Sequence, residues 1–187
     1  MPAAKKTAAK KAPARKAPAK KSSSSTRGSS GGARDAIALL KADHKEVDGL
    51  FKEYEELAEA EAAGEERQAL AEQICDMLTV HATIEEEIFY PAARESEVES
   101  DLLDEAEVEH ASAKDLIAQI KGMGPDEELY DAKVKVLGEY IKHHVQEEEG
   151  EMFPKCRKAK MDLATLGTEL ETRKSELMSD MSEEAAS

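Results

Sequence analysis

From Ala36 onward, apolar positions recur every three or four residues. One stripe runs Ile37, Leu40, His44, Val47, Phe51, Tyr54, and a second runs Leu70, Ile74, Met77, His81, Ile84, Ile88. A third runs Leu103, Ala106, His110, Ala113, Ile117, Ile120, and a fourth runs Val134, Leu137, Ile141, His144, Glu148, Met152. That spacing puts each set on one side of an α-helix, and no stretch alternates as a half-buried strand does. Gly64, Pro91, the Gly122, Gly124 and Pro125 cluster and Pro154 supply the turn signals between segments. Four amphipathic segments with short connections predict an all-α fold, an antiparallel up-down four-helix bundle. The shorter segment Asp162–Met181 repeats Leu163, Leu166, Leu170, Leu177 and Met181, and predicts a fifth, C-terminal helix on the bundle or on another subunit.

Charge divides the chain sharply. Residues 1–34 hold ten Lys or Arg and no Asp or Glu, whereas the remaining 153 hold sixteen basic and forty-one acidic side chains, a balance of −25. The leader "MPAAKKTAAKKAPARKAPAKKSSSSTRGSSGG" carries almost no apolar side chain larger than Ala. It cannot offset its ordering entropy, so disorder is expected there. The expected organisation is therefore a basic tail at 1–34, a helical domain at 35–160, and a C-terminal helix with an acidic tail at 161–187. The two cysteines, Cys75 and Cys156, form no CxxC pattern and read as reduced, packed thiols of a cytoplasmic protein. No apolar run is long enough to cross a bilayer, and no secretory signal is visible.

The four stripes share one unusual member. Of five histidines, four fall on the apolar faces, one per helix: His44, His81, His110 and His144. A neutral imidazole costs free energy to bury without a partner, and four such costs call for a common cause. A metal centre supplies it. His44 lies 20 residues before Gly64 and His81 lies 17 after it. At about 1.5 Å per residue these reach similar heights on neighbouring antiparallel helices. His110 and His144 flank the next turn less evenly, by 12 and 19 residues.

The chain also repeats itself. "HATIEEEIFYP" at 81–91 aligns without a gap on "HVQEEEGEMFP" at 144–154, and "DHKEVDGLF" corresponds to "EHASAKDLI". Each half is thus a helix with His followed by a helix with His-x-x-x-Glu. Positions i and i+4 share a helix face, so Glu85 stands beside His81 and Glu148 beside His144. Four imidazoles and two carboxylates suit two divalent or trivalent cations bridged by carboxylates. With no thiolate in the set, iron comes first, with manganese and zinc as alternatives.

On these motifs the chain resembles the hemerythrin-like, HHE cation-binding family over about residues 35–157. The resemblance implies a four-helix bundle around two iron ions, a non-haem di-iron centre with an oxo or hydroxo bridge. It implies His44, His81, Glu85, His110, His144 and Glu148 as ligands. Members close to the oxygen-carrying hemerythrins have a second histidine on the third helix, where this chain has Lys114. Its symmetric set resembles the His-His-Glu repeat variant instead.

Some assignments have competitors. His143 neighbours His144 and has its own glutamate four residues on, Glu147; alignment on Pro154 favours His144. Asp48, Glu86, His143 and Glu149 are candidate partners for the outer nitrogens of the ligand imidazoles. Glu86, Glu87, Glu147, Glu149 and Glu151 read first as a solvated face and Asp48 as a surface acid, Asp43 and Glu109 read as exposed acids, and Tyr54, Tyr90 and Tyr140 as packing residues. No GxSxG, P-loop or Gly-rich nucleotide fingerprint is present.

The functional expectation is a di-iron protein that binds O2 or a related small oxidant such as peroxide or nitric oxide, or that senses or stores iron. Ligands alone do not separate carriage, sensing and turnover. A second expectation comes from the tail, which resembles the Lys/Ala/Pro arms of histone H1. Such arms hold nucleic acid by neutralising phosphates. Residues 5–27 would then contact nucleic acid in a nucleoid-associated protein whose bundle is a structural or dimerisation module. The plainer alternative is a solubility tail, or one that folds back on the acidic body.

Overall fold

The structure, a computed structural model, describes residues 35–185. Every regular element among them is helical: α1 (Ala36–Glu59), α2 (Gly64–Ile84), α3 (Tyr90–Glu95), α4 (Ser100–Lys121), α5 (Tyr130–Glu147), α6 (Phe153–Lys158) and α7 (Leu163–Ala185). The expected disorder of the tail and its nucleic-acid segment at 5–27 lie outside the described residues. Among the described residues, no helix is long and apolar enough to cross a membrane.

Local chemistry sets the helix ends. Asp35 caps α1, its Oδ1 accepting the Ala38 N–H at 2.8 Å. α1 stops where Glu61 turns left-handed at φ 49°, and the Ala62 N–H closes back on the Leu57 carbonyl. The stop at Glu97 is built the same way, with φ 58° and Val98 bonding to Ala93. Glycine has a different use here. Gly64, expected as a turn, is the first residue of α2, where an added Cβ would stand 3.1 Å from Asp126 Oδ1 and Pro125 Cγ. It lets the α1–α2 and α4–α5 turns meet closely.

The two prolines also behave differently from the turn signals they suggest. Neither ends its helix. α2 runs on through a π turn at Glu85–Phe89 into α3, and α5 runs on through Glu148–Met152 into α6. Pro91 and Pro154 each follow two residues behind a π turn. A proline lacks the N–H for its turn of helix and its ring crowds the carbonyl four residues back. Widening that turn to i→i+5 bonds, Tyr90 N–H to Glu85 O and Phe153 N–H to Glu148 O, makes the room without breaking the rod.

The core consists of two apolar layers. One gathers Ile37, Leu40, Ile84, Phe89, Leu103, Met152 and Phe153; the other gathers Val47, Tyr54, Ile74, Ile117, Val134, Leu137 and Ile141. On each of α1, α2, α4 and α5 the histidine falls between them, so the polar groups form a sandwiched layer. The fifth long helix, α7, packs on α1, α2 and the first π turn, with Leu170 fully buried in the first layer.

Candidate metal centre

His44, His81, His110, His144, Glu85 and Glu148 are all buried, the two glutamates at 0% and 1% exposure. The helical stripes carry them inward, and the four imidazole Nε2 atoms turn toward a common centre. His44 Nε2 lies 3.1 Å from His81 Nε2, and His110 Nε2 lies 3.1 Å from His144 Nε2. Glu85 Oε2 reaches His81 at 3.3 Å and His110 at 3.5 Å, bridging the halves. Glu148 Oε2 does the same for His44 at 3.2 Å and His144 at 3.5 Å. One donor atom from each of His44, His81, Glu85 and Glu148 lies within 4.8 Å of the others, and the same holds for Glu85, His110 and His144. Two overlapping donor groups share Glu85.

The outer nitrogens are held as well. Glu149 Oε1 stands 3.0 Å from His44 Nδ1, Glu86 Oε1 3.0 Å from His110 Nδ1, and Glu109 Oε2 2.8 Å from His144 Nδ1. Asp43 Oδ2 faces His81 Nδ1 at 3.7 Å, longer than a hydrogen bond. A carboxylate at Nδ1 accepts a hydrogen bond from the ring N–H there, which keeps the proton on Nδ1 and leaves the Nε2 lone pair bare. Bare lone pairs set 3.1 Å apart repel each other unless a cation lies between the rings. The carboxylates repeat this. Both oxygens of Glu85 and Oε2 of Glu148 are buried with no hydrogen-bond partner among the described residues. Such orphaned acceptors are costly in a dry core. The donor set therefore fits two cations.

Electrostatics say the same. Burial, then the charge on Glu148, pushes the Glu85 carboxyl well above its usual range. Burial acts to raise Glu148 too, but His144, His44 and His81 outweigh it and hold that carboxyl down to about 2. The two glutamates do not both ionise without added positive charge. Burial and the charge of His144 push His110 down to about 4, and burial also lowers His81. Those two imidazoles are thus kept neutral, the form a metal needs, whereas for His144 burial is outweighed by the nearby Glu148 and Glu109, which raise it.

An aromatic ring closes each half. Phe153 stacks on His44 with centroids 5.8 Å apart, and Tyr90 covers His110 at 5.5 Å. Tyr90 also donates its hydroxyl to Glu148 Oε1 at 3.0 Å and lies 3.3 Å from His110 Nε2. The π turn makes this reach possible. Five residues of α-helix rotate a side chain about 140° past a full turn, whereas one extra residue in the turn returns Tyr90 to within about 40° of Glu85.

Several expectations need correction. Asp48 is a surface acid paired with Lys52 and not the alternative partner for His44, whose Nδ1 faces Glu149 instead. Asp43 and Glu109, expected to be exposed, are turned inward onto the histidines of the neighbouring helices. Helix pairing decides this, because each acid serves a histidine 35 or more residues away. A signal was present: both acids directly precede the histidine in each half of the repeat. His143 is 61% exposed and stands outside the central group. Tyr90 is a polar neighbour of the centre as well as a packing residue, which a strict 3.6-residue period hides. Lys114, in the position of the second third-helix histidine, points to Glu86 at 2.6 Å. Glu86 and Glu149, read first as part of a solvated face, each lie 3.0 Å from a histidine Nδ1.

A family model for the Hemerythrin HHE cation binding domain matches residues 35–156. A DNA nickase from Nostoc sp. (strain PCC 7120) is 30% identical over 135 residues, which are 72% of this chain but 37% of that protein. The chain thus spans little more than a third of that relative's length. The crystal structure of a Hemerythrin HHE cation binding domain-containing protein from Mycobacterium kansasii is similar with a TM-score of 0.65 at 26% identity. That match covers 79% of this chain and 89% of the other.

Proposed function

The chain belongs to the hemerythrin HHE cation-binding family, and from that footing we propose that it holds a non-haem di-iron pair and binds O2, peroxide or nitric oxide there. His44, His81, His110 and His144 would hold the metals through nitrogen, and Glu85 and Glu148 through their carboxylates. The observation that carries this is the set of three buried, unpartnered carboxylate oxygens facing four inward Nε2 atoms. The domain spans 35–160, and its four site-bearing helices form an up-down antiparallel bundle. Two ties support that arrangement: Tyr54 and Arg67 both reach Asp131 at one end, and Arg157 reaches Asp35 at the other.

Two iron ions bound there supply the one-electron couples that chemistry with small oxidants needs. The chain's own residues do the rest. Glu86, Glu109 and Glu149 hold the imidazole protons on Nδ1 and fix the ring planes, with Asp43 facing the fourth ring. Tyr90 offers a hydroxyl proton beside Glu148 and His110, and burial keeps that phenol protonated. Phe89, Phe153 and the apolar layers exclude water. A cleft of about 510 Å³ between α1, α2 and α7 reaches His44 and His81, lined by Met77, Val80 and Met178 together with the charged Asp43, Glu72, Asp76 and Lys174, and it gives small molecules a way to that side of the centre.

Metal analysis with the visible spectrum of reconstituted protein is the test. Two irons per chain with near-ultraviolet charge-transfer bands that respond to O2 or peroxide are expected. Fewer than one iron per chain and no such bands would falsify the reading.

The basic tail supports a second function in the same molecule: residues 5–27 contact nucleic acid. Ten cations without one acidic residue in 1–34 favour it, and the Nostoc relative is by name an enzyme that acts on DNA. Deleting residues 1–32 should abolish DNA retention at low salt. Retention unchanged by the deletion overturns it.

A further inference from the structure

Each inward histidine has an outer carboxylate, and three of those four carboxylates have a lysine. Lys41 Nζ meets Glu149 at 2.7 Å, Lys174 Nζ meets Asp43 at 2.7 Å, and Lys114 Nζ meets Glu86 at 2.6 Å. The fourth carboxylate, Glu109, has no lysine or arginine among the described residues. Its Oε2 holds the His144 Nδ1 proton, while its Oε1 faces His143 Nε2 at 3.7 Å. His143 Nε2 lies in turn 3.3 Å from Glu147 Oε1. Where the other three carboxylates receive an ammonium, this one meets a second carboxylate and an imidazole. The pattern of the fold calls for a cation at that point and the side chains present are donors to one.

We propose that Glu109, His143 and Glu147 form an outer divalent-cation site on the α4–α5 face, separate from the central pair. Glu109 Oε1, His143 Nε2 and Glu147 Oε1 are its three protein ligands, and their donor atoms already lie within 4.8 Å of one another. His143 and Glu147 share a helix face at i and i+4, and Glu109 reaches across from α4. Because His143 is 61% exposed, water completes the coordination. One imidazole and two carboxylates without thiolate select Zn2+, Mn2+ or Fe2+ over softer ions. The ion takes the part that Lys174 plays for Asp43 in the other half. It also ties the surface to the centre through one carboxylate, since Glu109 holds His144. This site stands on its own donors and does not depend on the central pair being iron.

Full-length protein dialysed against Mn2+ at about 1 mM, with free ion read by electron paramagnetic resonance, tests it. Wild type should bind one ion more per chain than His143→Ala. In both, the two central ions and their spectrum stay the same. Glu147→Gln should weaken the extra ion at least tenfold. A Glu85→Gln/Glu148→Gln variant should lose the central ions and keep the outer one, so failure of the central reading is seen separately. Equal ion counts in wild type and His143→Ala overturn the proposal.

Discussion

Glu85 is the residue on which the energetics of this molecule turn. It is fully buried beside Glu148, and both its oxygens are without hydrogen-bond partners among the described residues. Burial and that neighbouring charge raise its folded pKa above the unfolded value of 4.5. Its stability contribution is therefore complete below pH 4.5 and is lost as pH rises. Glu85→Gln removes the ionisation. In chelator, the variant should be more stable than wild type, by a margin that is larger at pH 8 than at pH 5 in urea unfolding. With metal the order should reverse, because a bridging ligand is gone. An unchanged margin across that pH range would sink the assignment of Glu85 as the strained carboxylate. At the neighbouring ring, Tyr90→Phe keeps the cover over His110 and removes the hydroxyl donated to Glu148. A loss of about 1–3 kcal/mol in metal-free stability is expected. Glu149→Ala, which frees His44 Nδ1, should weaken metal binding about 10–100-fold by competitive titration.

At the scale of elements, the prolines and the left-handed stops show where local pattern and structure part. Pro91 and Pro154 are breakers by composition, yet each helix continues past its proline by opening a π turn. The layer of side chains packed on both sides of that turn gains more than the turn loses. Its consequence is chemical: Tyr90 and Phe153 come round to cover the histidines. The stops at Glu61 and Glu97 put ordinary side chains where glycine is favoured. Each left-handed non-glycine residue costs about 1 kcal/mol or more. Glu61→Gly and Glu97→Gly should each therefore raise stability by up to about 1 kcal/mol, seen as a rise of about 2–4 °C in the melting midpoint. No rise in either would mean that those turns are held by contacts other than backbone conformation.

Across the whole molecule, α7 breaks the symmetry of the two halves. It covers the α1–α2 side, sets Lys174 on Asp43, pairs Arg173 with Glu87 and buries Leu170. The matching α4–α5 side carries Val108, Val136 and Tyr140 exposed and has no such cover among the described residues. Leu170→Ala should cost about 2–5 kcal/mol in urea unfolding and loosen the cleft above His81. A cost below about 1 kcal/mol would show that α7 is not part of the core. Sequence by itself determined the helical stripes, the twofold repeat, and the inward faces of His44, His81, Glu85, His110, His144 and Glu148. Those follow from residues three or four apart on one helix, a local geometry that spacing reports directly. Tertiary structure alone decided which acid serves which ring. Asp43 faces His81 and Glu109 holds His144 because neighbouring helices align them, a relation no single-helix period contains. It also decided that two prolines widen their helices rather than end them, since that outcome depends on the packing around the turn.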